Sequence, residues 1–371
     1  MTVGILKEVK PEENRVCMTP AGVEVLHQHG HEIVVQRGAG VNSGFEDSAY
    51  LEHGARIAEG AAEVYSIADM VMHVKEPQPS EYELIRPGQI VFTFLHLAAN
   101  EQLTRALVDR GSMNIAYETI QKPDGSLPLL TPMSEVAGRM AMQQGAKYLE
   151  MEMGGHGVLL GGVPGVDPGT VVIIGGGTVG INAAKMACGL GAKVYLLDRD
   201  LDRLRYLSDV MPANCFPLFS SPAVLRDLVR YADVVVGAVL VVGAKAPRLV
   251  TREMLKTMKK GSVMVDVAID QGGSFETSRP TTHNDPIYVV EGVVHYCVTN
   301  MPGAVARTST IALTNATLPY ALEIADNGWR RAMIDNREIL LGANVMDGKV
   351  TYEAVARAFD MQFTPVETML N

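Results

Sequence analysis

Residues 169–198 read GTVVIIGGGTVGINAAKMACGLGAKVYLLD, and this stretch decides the fold. Thr170-Val-Val-Ile-Ile174 is short, apolar and β-branched, the composition of a buried strand. It stops at Gly175-Gly176-Gly177-Thr178-Val179-Gly180, which fits G-x-G-x-x-G. An Ala-rich helical stretch, 181–190, follows at once, and a second strand, 193–197, closes on Asp198. Strand, glycine turn, helix, strand and acid in this order mark a dinucleotide site. Gly175 permits the tight turn. Gly177 lets backbone N–H groups approach a pyrophosphate at a helix N-terminus, where the dipole favours anions. Gly180 allows close helix–strand packing. Asp198 can accept hydrogen bonds from both ribose hydroxyls of NAD and would repel a 2′-phosphate. Arg199 and Arg203 lie nearby and leave room for some NADP; NAD is the cofactor favoured.

Working outward, 371 residues exceed one typical core, so two domains are expected. The net charge of −10 argues against a nucleic-acid partner, because phosphate binding needs a basic surface. The longest apolar stretch, 234–244, is too short to span a bilayer and carries two glycines. The N-terminus, MTVGILKEVK, has charges where a signal peptide needs an apolar core. A cytoplasmic protein without a membrane partner is expected. Cys17, Cys188, Cys215 and Cys297 form no C-x-x-C and read as reduced, buried thiols. His27, His29 and His31 suggest a metal cluster, but they close a helix in a Gly-containing turn without nearby acids, and no metal is expected.

Residues 1–128 alternate strand patterns (3–6, 32–36, 70–74, 90–95, 114–117) with helix patterns (20–29, 47–52, 61–66, 100–110). Such alternation predicts a mostly parallel sheet with helices on both faces: a second doubly wound domain, lacking a glycine fingerprint. Two strands run into reactive groups, one into Lys75 before Glu76-Pro77, the other into His96. Ligands of open α/β sheets bind beyond the carboxyl ends of the strands. Arg15, in the loop after the first strand, is expected at the same edge. An Arg, a Lys and a His converging there suit a small anionic substrate, with Arg giving a two-pronged contact and Lys a point charge. Each has a plain alternative as a solvated surface side chain.

In 129–153, Pro132 and Ser134 mark the start of a long Met/Ala-rich helix bridging the lobes. Ser134 reads as its cap in preference to a cofactor contact. After Asp198 come a helix at 201–208, an irregular stretch to Ser221, a helix at 223–231, a strand at 233–238, a helix at 252–259 and a strand at 263–267. That strand leads to Asp270, placed either to orient water or to cap the Gln271-Gly272-Gly273 turn. A last strand, 293–298, precedes Asn300-Met301-Pro302-Gly303 and a long return helix, 304–325. The tail from Trp329 reads as helix and turn packed on the first lobe. The expected architecture is α/β: two doubly wound Rossmann-like domains joined by long helices, with a substrate cleft between them. Residues 1–128 plus 305–371 form the substrate domain, and 129–304 the NAD domain.

The chain resembles the NAD-dependent L-alanine dehydrogenases from end to end. The carriers are GILKE with ENRV, MVMHVKEP, FTFLHLA, TPMSEVAGRMA, VVIIGGGTVGINAAKMA, VMVDVAIDQGG with ETSRPTTH, and VTNMPGAVARTST. The soluble NAD-binding part of proton-translocating transhydrogenases is similar. The resemblance implies reversible conversion of L-alanine, NAD and water to pyruvate, ammonium and NADH by a homohexamer. It implies that Arg15 and Lys75 hold the substrate carboxylate and carbonyl oxygen, that His96 is the acid/base, and that Asp270 activates water. It implies cofactor contacts at Ser134, Asn300 and Met301, at Val239, Leu240 and Val267, at Thr178, Val179, Arg203 and Asp270, and at Ser220 and Arg279. A family magnesium site would pair Glu323 with a His at 327; Asn327 stands there instead. Rival readings are the hydride-exchange subunit of a transhydrogenase and a non-catalytic NAD-responsive protein. The set Arg15, Lys75, His96 and Asp270 argues for an enzyme with its own substrate.

Overall fold

Short runs of Val, Ile and Met between helices form parallel sheets, since a strand covered on both faces can be apolar throughout. In a computed structural model describing residues 1–239 and 247–370, the strands in chain order are β1 (Thr2–Ile5), β2 (Glu32–Gln36), β3 (Ala55–Ala58), β4 (Met70–Met72), β5 (Ile90–Thr93), β6 (Met113–Ala116), β7 (Thr170–Ile174), β8 (Lys193–Asp198), β9 (Cys215–Phe219), β10 (Val234–Gly237), β11 (Val263–Asp266), β12 (Ile287–Val290), β13 (Val293–Tyr296), β14 (Ala343–Met346) and β15 (Lys349–Val350). Contacts divide the chain into two units, Met1–Met133 with Val305–Asn371, and Ser134–Ala304.

The first unit carries the sheet β15-β14-β6-β5-β4-β1-β2-β3. Its six strands from β6 to β3 are parallel, and the order reverses at β1, which pairs with both β2 and β4. Alternate residues face opposite layers. Val3, Ile5, Met70, Met72 and Phe92 enter one apolar core, and Leu6, Val71 and Val91 the other. The tail is not helix and turn alone. β14 and β15 form an antiparallel hairpin that extends this sheet beside β6. Asp347 (φ 47°) and Gly348 (φ 75°) make its two-residue turn, and both need positive φ. β3 is a further strand absent from the expected pattern.

The second unit carries the sheet β12-β13-β11-β10-β7-β8-β9. All but β12 run parallel, and the order reverses between β8 and β10 around β7. The stretch before Ser221 contains β9, a strand read as irregular because Pro217 and exposed Phe219 hide its pairing. β12 is likewise an addition, an antiparallel edge strand. The helix Thr131–Tyr148 starts three residues before Ser134, so Ser134 lies within its first turn and is not its cap. The return helix spans Ala306–Asp335, with Gly328 (φ 73°, ψ 155°) breaking it; it begins later and runs further than expected.

Candidate functional site

In the first unit every predicted site residue falls at the carboxyl edge, around the strands where the order reverses. Arg15 follows β1, Lys75 follows β4, and His96 follows β5. Arg15 is 3% exposed, which excludes the solvated-loop alternative. Its Nε donates to Glu13 Oε1 at 2.6 Å, its Nη2 to Glu13 Oε2 at 2.5 Å, and its Nη1 points to Met133 Sδ at 3.1 Å. Thr310 and Thr314 of the return helix accept from Val16 N and Thr19 N, both at 3.1 Å, and fix the loop that carries Arg15. Burial alone would raise the Glu13 carboxyl, but the Arg15 hydrogen bonds and charge, with Lys75 behind them, hold it at about 2. Lys75 is half-buried. Burial, then the Arg15 and Lys10 cations, lower its pKa, while Glu13 and Glu76 oppose them. Two cations kept this close favour an incoming anion.

β4 ends at Met72, two residues earlier than expected. The reason is Glu8: its Oε1 accepts from Val74 N at 2.6 Å and its Oε2 from Lys75 N at 3.2 Å, replacing a strand partner. His96 sits in left-handed backbone (φ 50°) with a 46% exposed side chain, its ring stacked on Phe94 at 5.8 Å. Glu118, after β6, accepts from His96 N at 2.6 Å and stands 3.9 Å from Nδ1. Glu8, Glu13 and Glu118 are the acids that sequence reasoning missed. Glu118 had a findable signal, its place at the end of a strand; Glu8 lay inside a quoted motif.

Folding brings an acid to the His27, His29 and His31 cluster, against expectation. Asp326 of the return helix accepts from His29 Nδ1 (3.1 Å) or His31 Nε2 (2.8 Å) according to their protonation, so an acid is near in space. Among the described residues no group of three or more His, Cys, Asp or Glu is arranged to hold a metal ion. Glu323 accepts from Asn336 Nδ2 at 2.8 Å.

In the second unit the glycine loop leaves β7 into the helix Thr178–Gly189, whose first turn has no side-chain cap. Its free N–H groups suit an anion. Gly175 has φ 107°, and a side chain at Gly180 would lie 1.8 Å from Gly175 O. A Cβ at Gly177 would meet nothing within 4 Å, so the backbone there is open to a diphosphate. These features fit a dinucleotide. Asp198 Oδ2 accepts from Gly176 N at 2.7 Å and Oδ1 from Asp200 N at 3.0 Å, leaving lone pairs for ribose. Arg203 Nε donates to Gly176 O at 2.6 Å and its guanidinium lies over Tyr206, so it braces the loop.

Ser220, Val239, Val267 and Asp270 follow the carboxyl ends of β9, β10 and β11, and Asn300 (φ 56°) and Met301 lie beyond β13. Leu240 lies outside the described residues. Ser134, half-buried, stands at the start of its helix. The Arg279 guanidinium lies over the ring of Tyr288 in β12 at 4.1 Å. The turn after β11 is held by Asp266, not Asp270. Asp266 accepts from Ala268 N (3.1 Å), Ser274 N (2.8 Å) and Ser278 Oγ (2.5 Å). Asp270 is exposed, and its carboxylate has no hydrogen-bond or ion-pair partner among the described residues.

Two doubly wound sheets, one bearing an anion-binding glycine loop and an acid on the next strand, define a nucleotide-binding dehydrogenase fold. The family model described as "Alanine dehydrogenase/PNT, N-terminal domain" matches residues 4–137, and "Alanine dehydrogenase/PNT, C-terminal domain" matches 141–353. The chain belongs to the alanine dehydrogenase/PNT family. It is 56% identical over 372 aligned positions to an alanine dehydrogenase of Methanococcus maripaludis, with all of both chains covered. A solved L-alanine dehydrogenase superposes with a TM-score of 0.95 at 48% identity, covering 97% of this chain and 99% of that one. A transhydrogenase from Sinorhizobium meliloti superposes at 0.83 with 26% identity, covering 95% and 100%.

Proposed function

We propose that the chain is an L-alanine dehydrogenase, catalysing reversible oxidative deamination of L-alanine to pyruvate and ammonium with NAD. What carries the reading furthest is the pair Arg15 and Lys75 beside His96 at one sheet edge, in a chain aligned end to end with proteins named alanine dehydrogenase. Bound NAD supplies the hydride acceptor. The glycine loop and Thr178 and Val179 hold its diphosphate, and Asp198 its ribose. Arg15, oriented by Glu13, and Lys75 receive the substrate carboxylate and carbonyl oxygen. Loss of the Cα hydride leaves an iminium. His96 exchanges protons as water adds and ammonia departs, and Asp270 activates that water. The water oxygen becomes the pyruvate carbonyl, and nitrogen leaves as ammonium. Ser134, Asn300 and Met301 are assigned to the nicotinamide, Val239 and Val267 to the cofactor cleft, with Ser220, Arg203 and Arg279 as further cofactor contacts.

We further propose a cytoplasmic homohexamer; light scattering after gel filtration should give six times the 40.0 kDa chain mass. No helix among the described residues is long and apolar enough to cross a membrane. The test of function is a scan of small amino acids followed by NADH absorbance. L-alanine should drive NAD reduction, and silence with every small amino acid would reject the reading. The likeness to a transhydrogenase makes hydride exchange between nucleotides the alternative, recognised by turnover that needs no amino acid.

A further inference from the structure

The parallel pairing of β4 ends at Met72; His73 N still donates to Phe92 O at 3.4 Å, and Val74 and Lys75 then leave the sheet. Glu8 supplies acceptors for the Val74 and Lys75 amides, while Thr93 Oγ1 donates to Lys75 O at 2.9 Å. The Lys75 backbone is thus gripped on both sides. A buried carboxylate doing this needs a counter-charge. His73 lies between two acids: Nδ1 is 3.3 Å from Glu8 Oε1, and Nε2 is 3.4 Å from Glu81 Oε1. All three side chains are no more than 3% exposed. Nδ1 faces Glu8 in hydrogen-bonding geometry, whereas Glu81 Oε1 has no hydrogen-bond partner among the described residues and meets the ring as a charge alone; two buried acids this close to one imidazole favour its cation. The titratable surroundings include Tyr65 OH, 3.2 Å from Nε2, the Cys17 thiol and Tyr117 hydroxyl within the field of Glu8, and Tyr82 within that of Glu81. Glu81 is itself fixed, accepting from Gln78 N at 2.9 Å.

We propose that Glu8, His73 and Glu81 form a positioning device for Lys75, in which the His73 cation between the two carboxylates keeps Glu8 charged and bound to the Val74 and Lys75 amides. The proposal rests on the alanine dehydrogenase reading for what Lys75 holds, but not for the grip itself. None of the three residues touches the substrate; they act through the placement of the ammonium group. Without the cation, two buried carboxylates face each other, one takes up a proton, and the Lys75 amide loses its acceptor.

The test compares His73→Gln and His73→Lys with the unaltered enzyme, by steady-state KM for pyruvate and NADH and by amide exchange of the peptide over residues 73–77. His73→Gln should raise the pyruvate KM about tenfold, a misplacement effect, with the NADH KM unchanged and exchange at 74 and 75 faster. His73→Lys restores the cation and should recover both. Glu8→Gln, which keeps the His73–Glu81 pair, should reproduce the His73→Gln result even if that variant does not fold. Unchanged exchange and unchanged pyruvate KM in a folded variant would overturn the proposal, as would equal rises in both KM values. If the unaltered protein shows no amino-acid turnover, the functional reading fails, while the exchange measurement still decides whether the grip exists.

Discussion

Arg15, Lys75 and His73 are basic groups placed where burial penalises charge; Glu13 pairs with Arg15, Glu8 and Glu81 flank His73, and Glu8 holds the Lys75 amide. Glu13 has a folded-state pKa of about 2 against an ordinary 4.5. Its stabilisation is therefore complete above pH 4.5 and disappears as pH falls toward 2. His73 behaves in the opposite sense. Burial alone would lower it, but the Glu8 charge and hydrogen bond, and then Glu81, raise it to about 10. Its contribution is complete below pH 6.5 and is lost as pH climbs to 10. Thermal midpoints should thus fall on the alkaline side in the native protein, and less so between pH 7 and 9 in His73→Met, which has no such proton to lose. Parallel curves would contradict this. Glu13→Gln breaks a buried pair and should cost about 3 kcal/mol in chemical denaturation; an unshifted midpoint would be a failure. Lys75, lowered by burial and by Arg15 and Lys10, should take up protons when an anion binds. Calorimetry of pyruvate binding across the alkaline range in buffers of different ionisation heat should detect that uptake, and Lys75→Met should abolish it.

At the scale of elements, period and punctuation made most strands readable, and pairing supplied the rest. β2 matches its expected bounds because its buried Ile-Val-Val run is closed on each side by a polar residue, and the helix Asp47–Glu52 matches as well. β4 was overextended by two residues because Glu8, sixty-six positions from Val74, takes over its hydrogen bonds. No local pattern shows that exchange. The hairpin at Asp347-Gly348 had a legible signal, a two-residue turn of the Asp-Gly type, hidden by short and mixed flanking strands. The glycine loop was legible because its three roles are steric. Gly180→Ala meets Gly175 O and should lower NAD affinity at least about tenfold by fluorescence titration, since the loop must open. Unaltered affinity would contradict the fit. Asp266→Ala should loosen the turn that carries Asp270, seen as faster amide exchange over 267–275 together with lower kcat.

At the scale of the whole molecule, the chain contains two sheets of the same winding, with the glycine fingerprint on one and the cations on the other. Sequence alone placed the reactive groups at strand ends, because doubly wound sheets present their carboxyl edges to ligands. It did not show Glu8, Glu13 and Glu118 behind them, since those acids meet their partners through folding and through no repeated spacing. The proposed reaction needs both a proton carrier, His96, and a water-activating carboxylate, Asp270. The direct measurement is a double-mutant cycle on kcat for alanine oxidation with His96→Ala, Asp270→Ala and the double variant, NAD binding being followed in parallel. Residues acting as one unit give non-additive losses. Each single variant should lose about a hundredfold or more, the double little further, with NAD binding retained throughout. Full activity in either single variant, or losses that simply multiply, would contradict the proposed reaction.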